Sequence, residues 1–221
     1  MSGTTTNGEN DRLLHRMLFF TDAVFAIVLT LLALELKAPD AHDGESLRRD
    51  LAALSGHFVA FGLSFGVVAI FWAAHMNTLR RLSQFDWPTA WANLVFLVTL
   101  SVMPFFSAMV GEAEFGPAAW EFYCGELMAT SLAVMGLWLV AARGRGRLLG
   151  GVTGRELIYR ALRAAAPGLA FAFGYLAMRA GWEEASQLCW LLIPPLFLVA
   201  RWLAGPRTLS AAPSAPAEPT P

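Results

Sequence analysis

The sequence predicts an all-α polytopic membrane protein with six transmembrane helices and both termini cytoplasmic. Three observations carry the fold class. Of 221 residues, 56% are apolar and 15% charged, where a soluble domain holds about 25% charged residues. The charges cluster between long apolar runs. The runs also have membrane length: residues 16–36, RMLFFTDAVFAIVLTLLALEL, cover roughly 30 Å as a helix at about 1.5 Å per residue, the thickness of bilayer hydrocarbon.

Residues 1–13 read as a polar cytoplasmic segment. The first span, 14–36, is too long for the core of a signal peptide and is read as retained. The second span covers 52–78 around GLSFGVVAIFW, the third 88–110 and the fourth 117–142. The fifth, 157–178, is the weakest. Arg160 and Arg163 stand in its first turns and are expected to snorkel to the interface, with the apolar part starting at Ala164. The sixth covers 184–204. Pro104, Pro167, Pro194 and Pro195 fall inside spans and predict kinks or broken backbone hydrogen bonds. Cys124 and Cys189 lie in apolar runs and read as small buried residues. Residues 14–204 form one membrane domain without internal repeats. Residues 205–221, rich in Pro, Ala and Ser, predict a disordered cytoplasmic tail.

Lysine and arginine set the orientation. With the N-terminus inside, the inner face holds twelve of them: Arg12, Arg16, Arg80, Arg81, Arg143, Arg145, Arg147, Arg155, Arg160, Arg163, Arg201 and Arg207. The outer face holds four: Lys37, Arg48, Arg49 and Arg179. Loop 38–50 is then external, with room for a short interfacial turn.

Several function classes lack their signatures. There is no phosphate-binding glycine loop, no HExxH, no GxSxG and no metal-ligand spacing among the four histidines. No TVGYG filter and no voltage-sensor run of arginines occurs. A net charge of −1 offers no basic bulk for nucleic acid. Neither an enzyme nor a cofactor site is expected.

In the first span, Asp22 is an ionisable group at membrane depth, hence a candidate functional or structural site. At about 100° per residue from Ile27, Leu31 falls near +40°, Leu34 near −20° and Thr30 near −60°. These four share one face. Asp22 falls near −140° and is expected to point into neighbouring helices. There it would cluster with Arg16, His75 and Asn77. The Ile/Leu stripe faces lipid, packs on a neighbouring helix, or forms a hydrophobic constriction if symmetry copies surround an axis. Trp72 and Trp87 suit an aromatic belt, although Trp72 is deep enough to pack on Phe20. Asn93 reads as a hydrogen-bonding tie between helices. Glu35, near the outer mouth, either concentrates cations or is a solvated interfacial charge.

Arg16-x-x-x-Phe20-Thr21-Asp22, with the AVFAIVLTLLALEL that follows, resembles the RxxxFSD signature of the transmembrane protein 175 family. That family comprises endolysosomal potassium channels and their prokaryotic relatives. FWAAHMNTLRRL (71–82), with Trp72 and His75, is similar to the family's Trp-x-x-His element. The resemblance implies a homotetramer in the cell membrane, with the first helix lining a pore for K⁺ in the lipid bilayer. It implies a constriction at Ile27, Leu31 and Leu34, a potassium preference at Thr30, and no cofactor. Two departures stand out: Thr21 replaces the motif serine, and Ala23 stands where many members have glycine. Two other classes remain open from the residues alone. One is a small proton-coupled secondary transporter using Asp22 and His75; the other is a membrane assembly protein that moves nothing.

Overall fold

The computed structural model describes residues 3–40, 42–79, 81–143 and 154–204. Among them are helices and turns and no strand. The helices are α1 (Gly3–Leu34), α2 (Gly44–Ala53), α3 (Ser55–Leu79), α4 (Trp87–Gly111), α5 (Gly116–Ala141), α6 (Gly154–Arg179), α7 (Glu183–Gln187) and α8 (Ile193–Ala204). Five of them, α1 and α3 to α6, are long and apolar enough to cross a membrane, and a shorter apolar segment runs from Cys189 to Leu203.

The first five expected spans match α1, α3, α4, α5 and α6, with two differences in detail. Helix α1 begins at Gly3 rather than near residue 14. Nothing in ENDRLLHR breaks a helix, and Arg12 Nε and His15 Nδ1 engage the carbonyls of Gly8 and Asp11 one turn back. Helix α2 fills the loop between the first two spans. Its start is fixed by Asp43, whose carboxylate accepts the backbone N–H groups of Glu45 and Ser46 at 2.8 and 2.7 Å. Those donors hold the Asp43 carboxyl below its usual pKa.

The sixth expected span, 184–204, is not one continuous helix. It divides into α7, a 3₁₀ turn over Cys189–Leu192, and α8. Pro194 and Pro195 explain the break, because neither offers an N–H to the preceding turn. They fit only within the first turn of a new helix, where donors are unpaired anyway. Pro104 and Pro167, by contrast, lie inside unbroken helices. The expected tail from 205, with Arg207, and residues 144–153, with Arg145 and Arg147, lie outside the described residues.

Helix α5 sits at the centre, packed along α4 and α6, while α1 leans on α3 and α4 and α8 on α6. Half of the most apolar window of α5 is buried within the protomer, but only 22% of that of α1. That contrast puts α1 at the edge of the bundle. One contiguous core joins Phe25, Val28 and Leu32 of α1 to Phe71, Phe96 and Leu100 on α3 and α4. Helices α5 and α6 approach closely at Gly168, where a Cβ would lie 2.6 Å from that of Ser131. Cys124 and Cys189 are both buried and free, beside Gly174.

Polar groups in the core are tied across helices. Ser64 Oγ bonds Ser107 Oγ at 2.8 Å and Tyr123 OH at 2.9 Å, linking α3, α4 and α5. Trp120 Nε1 donates to Ser186 Oγ at 2.7 Å, and Ser186 donates to the carbonyl of Gly174. One end of the bundle carries the ion pairs Arg81–Glu156 (2.6 Å), Arg160–Glu156 (2.9 Å) and Arg143–Asp86 (3.0 Å). Arg160 and Arg163 therefore do more than reach for an interface. Arg160 lies over the Trp138 ring, and Arg163 over that of Phe197.

Candidate functional site

The site is built on α1 and on what α1 shows and hides. Thr21, Phe25, Val28 and Leu32 are buried, at spacings of three and four residues, so they form its core-facing stripe. Val24 and Leu29 flank that stripe and are partly buried, while the opposite face is left outside. Ile27 is 56% exposed, Leu31 39% and Leu34 72%. Thr30 is exposed on the same face, and its hydroxyl donates to the carbonyl of Ile27 at 2.8 Å. Helix α1 thus carries an apolar face that, among the described residues, no other part of the protomer covers.

The hydrogen-bonded network behind that face differs from the expected one. His75 is fully buried, stacked on Phe96 with ring centroids 5.1 Å apart, and tilted against Phe25. Its Nε2 lies 2.6 Å from Asn93 Oδ1. Asn93 Nδ2 donates to Thr21 Oγ1 at 2.9 Å, and the Thr21 hydroxyl donates to the carbonyl of Met17 at 2.9 Å. Read by donor and acceptor capacity, this chain assigns the imidazole proton to Nε2 and leaves Nδ1, which has no partner, as the bare nitrogen. One network therefore pins α1 to α4 and α3.

The hydrogen-bond partner of His75 is therefore Asn93, not Asp22. Asp22 and Arg16 are both exposed on the protomer, and among the described residues no hydrogen bond or ion pair joins either to His75 or Asn77. Asn77 instead donates to the carbonyl of Ala73 in its own helix. The physical reason is the cost of burial. A threonine hydroxyl can satisfy its proton within its own helix, while a carboxylate needs outside donors. The neighbouring position, Thr21, accordingly takes the buried place. Of the family-signature residues, Thr21 and His75 pack inside, while Arg16, Phe20, Asp22 and Trp72 remain exposed.

Glu126 was not singled out by the sequence reading. It lies on α5 within the apolar run and is 7% exposed; Oε1 accepts from Thr130 at 2.6 Å and Oε2 has no partner. Two acids, Glu121 and Glu126, barely lower the hydropathy of a 26-residue helix, so only its position in an apolar run could have marked Glu126. Among the described residues, no group of three His, Cys, Asp or Glu is placed to hold a metal ion.

The family model described as the endosomal/lysosomal potassium channel TMEM175 matches residues 16–104. Over those residues the chain is similar to the TMEM175 family. The matched segment covers α1 from Arg16 onward, α2, α3 and most of α4, which carry the exposed stripe and the His75–Asn93–Thr21 network. The chain is similar to a potassium channel of Chryseobacterium sp. strain P1-3, at 28% identity over 180 residues, 80% of this chain and 92% of that one. It is 30% identical to the endosomal/lysosomal proton channel TMEM175 of Rattus norvegicus over 101 residues, 43% of this chain but only 20% of the rat protein. A solved structure, that of a lysosomal potassium-selective channel TMEM175 homolog from Chamaesiphon minutus, superposes with a TM-score of 0.57 at 24% identity. It covers 87% of this chain and 97% of that chain. At that identity the likeness speaks for a shared TMEM175 fold.

Proposed function

We propose that the chain is a potassium channel subunit, four copies of which surround a pore lined by α1. Ile27, Leu31 and Leu34 form its hydrophobic constriction, and Thr30 sets its preference for K⁺. The observation that carries this reading is the exposed Ile/Leu face of α1 in a protomer that buries the opposite face. A ring of such faces closes a lumen to ions by offering no oxygen to replace lost hydration. The channel-type family match and the potassium channel relative support K⁺ as the ion. The activity is passive conduction and not catalysis, and it calls for no cofactor. The name of the rat relative favours a second reading, in which the ion is a proton.

One experiment separates these readings. Purified protein in liposomes under a K⁺ gradient is expected to pass K⁺ on voltage alone and to favour it over Na⁺. Acidification of the lumen without K⁺ flux would favour the proton reading. Flux that requires a second gradient would favour a coupled transporter, and silence would leave an assembly protein.

The Arg81–Arg143–Arg160 end of the bundle faces the cytoplasm of a bacterial cell in this reading, with both termini inside, as the twelve-to-four arginine and lysine ratio supports. The two native cysteines are buried, so introduced ones report cleanly. Arg49→Cys is expected to react with an impermeant maleimide on intact cells, and Arg201→Cys only after permeabilisation. The opposite pattern inverts the topology.

A further inference from the structure

At the basic end, α3, α5 and α6 leave a cavity of about 170 Å³ between them. Its mouth and its floor differ in chemistry. Arg160, Arg163, Tyr159 and Thr78 supply polar groups. Ala74, Val134 and Ala164 supply an apolar floor. Ala74 precedes Thr78 on α3 by one turn, and Val134 precedes Trp138 on α5 by one turn, so this floor lies about 5 Å deeper into the membrane-spanning part.

The two arginines are used differently. Each nitrogen of Arg160 is engaged: Nε and Nη2 donate to Glu156 Oε1 at 3.1 and 2.9 Å, and Nη1 donates to the carbonyl of Asn77 at 3.0 Å. Glu156 is shared with Arg81, so one carboxylate serves two guanidiniums. Arg163 is half-buried over the Phe197 ring, and among the described residues no carboxylate lies within ion-pair distance of it. Residues 144–153 contain no acid at all, and 205–221 contain only Glu218. A half-buried guanidinium with an unanswered charge, at the mouth of a cavity, is matched by a phosphate.

We propose that this cavity binds the headgroup of an anionic phospholipid, with the phosphate on Arg163 and the glycerol and upper acyl carbons against Ala74, Val134 and Ala164. Free phosphate offers the same oxygens but has no use for an apolar floor. A phospholipid uses both parts, and basic pockets between membrane helices suit anionic headgroups. This site is separate from the α1 stripe and does not depend on which ion the protein conducts.

The test uses the full-length protein in detergent, with native mass spectrometry of bound phosphatidylglycerol and with phosphatidylcholine and inorganic phosphate as the other arms. Wild type is expected to retain phosphatidylglycerol over phosphatidylcholine. Arg163→Gln should weaken phosphatidylglycerol by about tenfold, the usual worth of a charge-assisted hydrogen bond. Arg201→Gln, an exposed charge removed outside the cavity, should leave it unchanged. Ala74→Leu fills the floor while keeping every charge, so it should also expel the lipid; it remains informative if Arg163→Gln fails to fold. Equal retention of phosphatidylglycerol by wild type, Arg163→Gln and Ala74→Leu would overturn the proposal. So would displacement of the lipid by millimolar inorganic phosphate, which would make the site one for a free anion.

Discussion

Ile27→Asn is expected to raise single-channel current about tenfold, equivalent to roughly 1.4 kcal/mol off the barrier, and to move the reversal potential toward that of a pore blind to K⁺ and Na⁺. Ile27 is 56% exposed on the protomer, at the centre of the uncovered face. In a tetramer the substitution would bring four amides to one ring, each able to hydrate the lumen and to coordinate a cation. Ile27→Val keeps the ring apolar and should change current less than twofold, well under the energy of one tenfold step. Thr30→Val makes the opposite separation. The Thr30 proton is already given to the Ile27 carbonyl, so what the hydroxyl can still offer a cation is its oxygen. Removing it should erode K⁺ preference without opening the constriction. Reversal potentials under mixed K⁺ and Na⁺ gradients read all three variants. Unchanged current and selectivity in Ile27→Asn would return the stripe to lipid or to a packing contact.

The stripe was legible because helical period is the strongest signal an apolar sequence carries. Ile27, Leu31 and Leu34 fall on one face by counting, and the structure leaves that face uncovered. Counting did not say which neighbour of that face would be buried. Thr21 and Asp22 are adjacent, only about 100° apart around the helix, and charge alone drew attention to Asp22. The buried place went to the residue that could satisfy its own hydrogen bond. Asn93 was recognisable as a tie between helices, yet its two partners come from 18 and 72 residues away, which no local pattern encodes. The sixth span failed as a continuous helix for a reason already present in the sequence. Two successive prolines are weighted by hydropathy as mildly polar residues, whereas their real effect is to withhold two backbone donors. The cavity at Arg163 could not be seen at all before three helices were brought together.

Removing the asparagine, rather than the aspartate, is expected to loosen the protomer. Asn93→Leu would take the acceptor from His75 Nε2, in a ring that is fully buried and whose Nδ1 is already without a partner. An average interhelical hydrogen bond in a membrane protein is worth about 0.6 kcal/mol. Orphaning a donor that water cannot reach costs more, roughly 1–3 kcal/mol, and the larger figure should win because His75 is sealed between Phe25 and Phe96. Thr21→Val should cost less than Asn93→Leu. It removes an acceptor from Asn93 Nδ2, while the backbone oxygen of Met17 loses one of two possible donors and keeps its helical bond. Asp22→Ala, at an exposed position, should stay within about 0.5 kcal/mol of wild type. Denaturant unfolding in detergent ranks the three variants, and a sizing column run beside it reads assembly separately. The expected order of cost is Asn93→Leu, then Thr21→Val, then Asp22→Ala. If Asp22→Ala unfolds most easily, the aspartate is buried in the working protein and α1 is rotated relative to the arrangement described above. If it unfolds normally but no longer runs as an oligomer, the aspartate acts between protomers, beside the Ile/Leu face and not behind it.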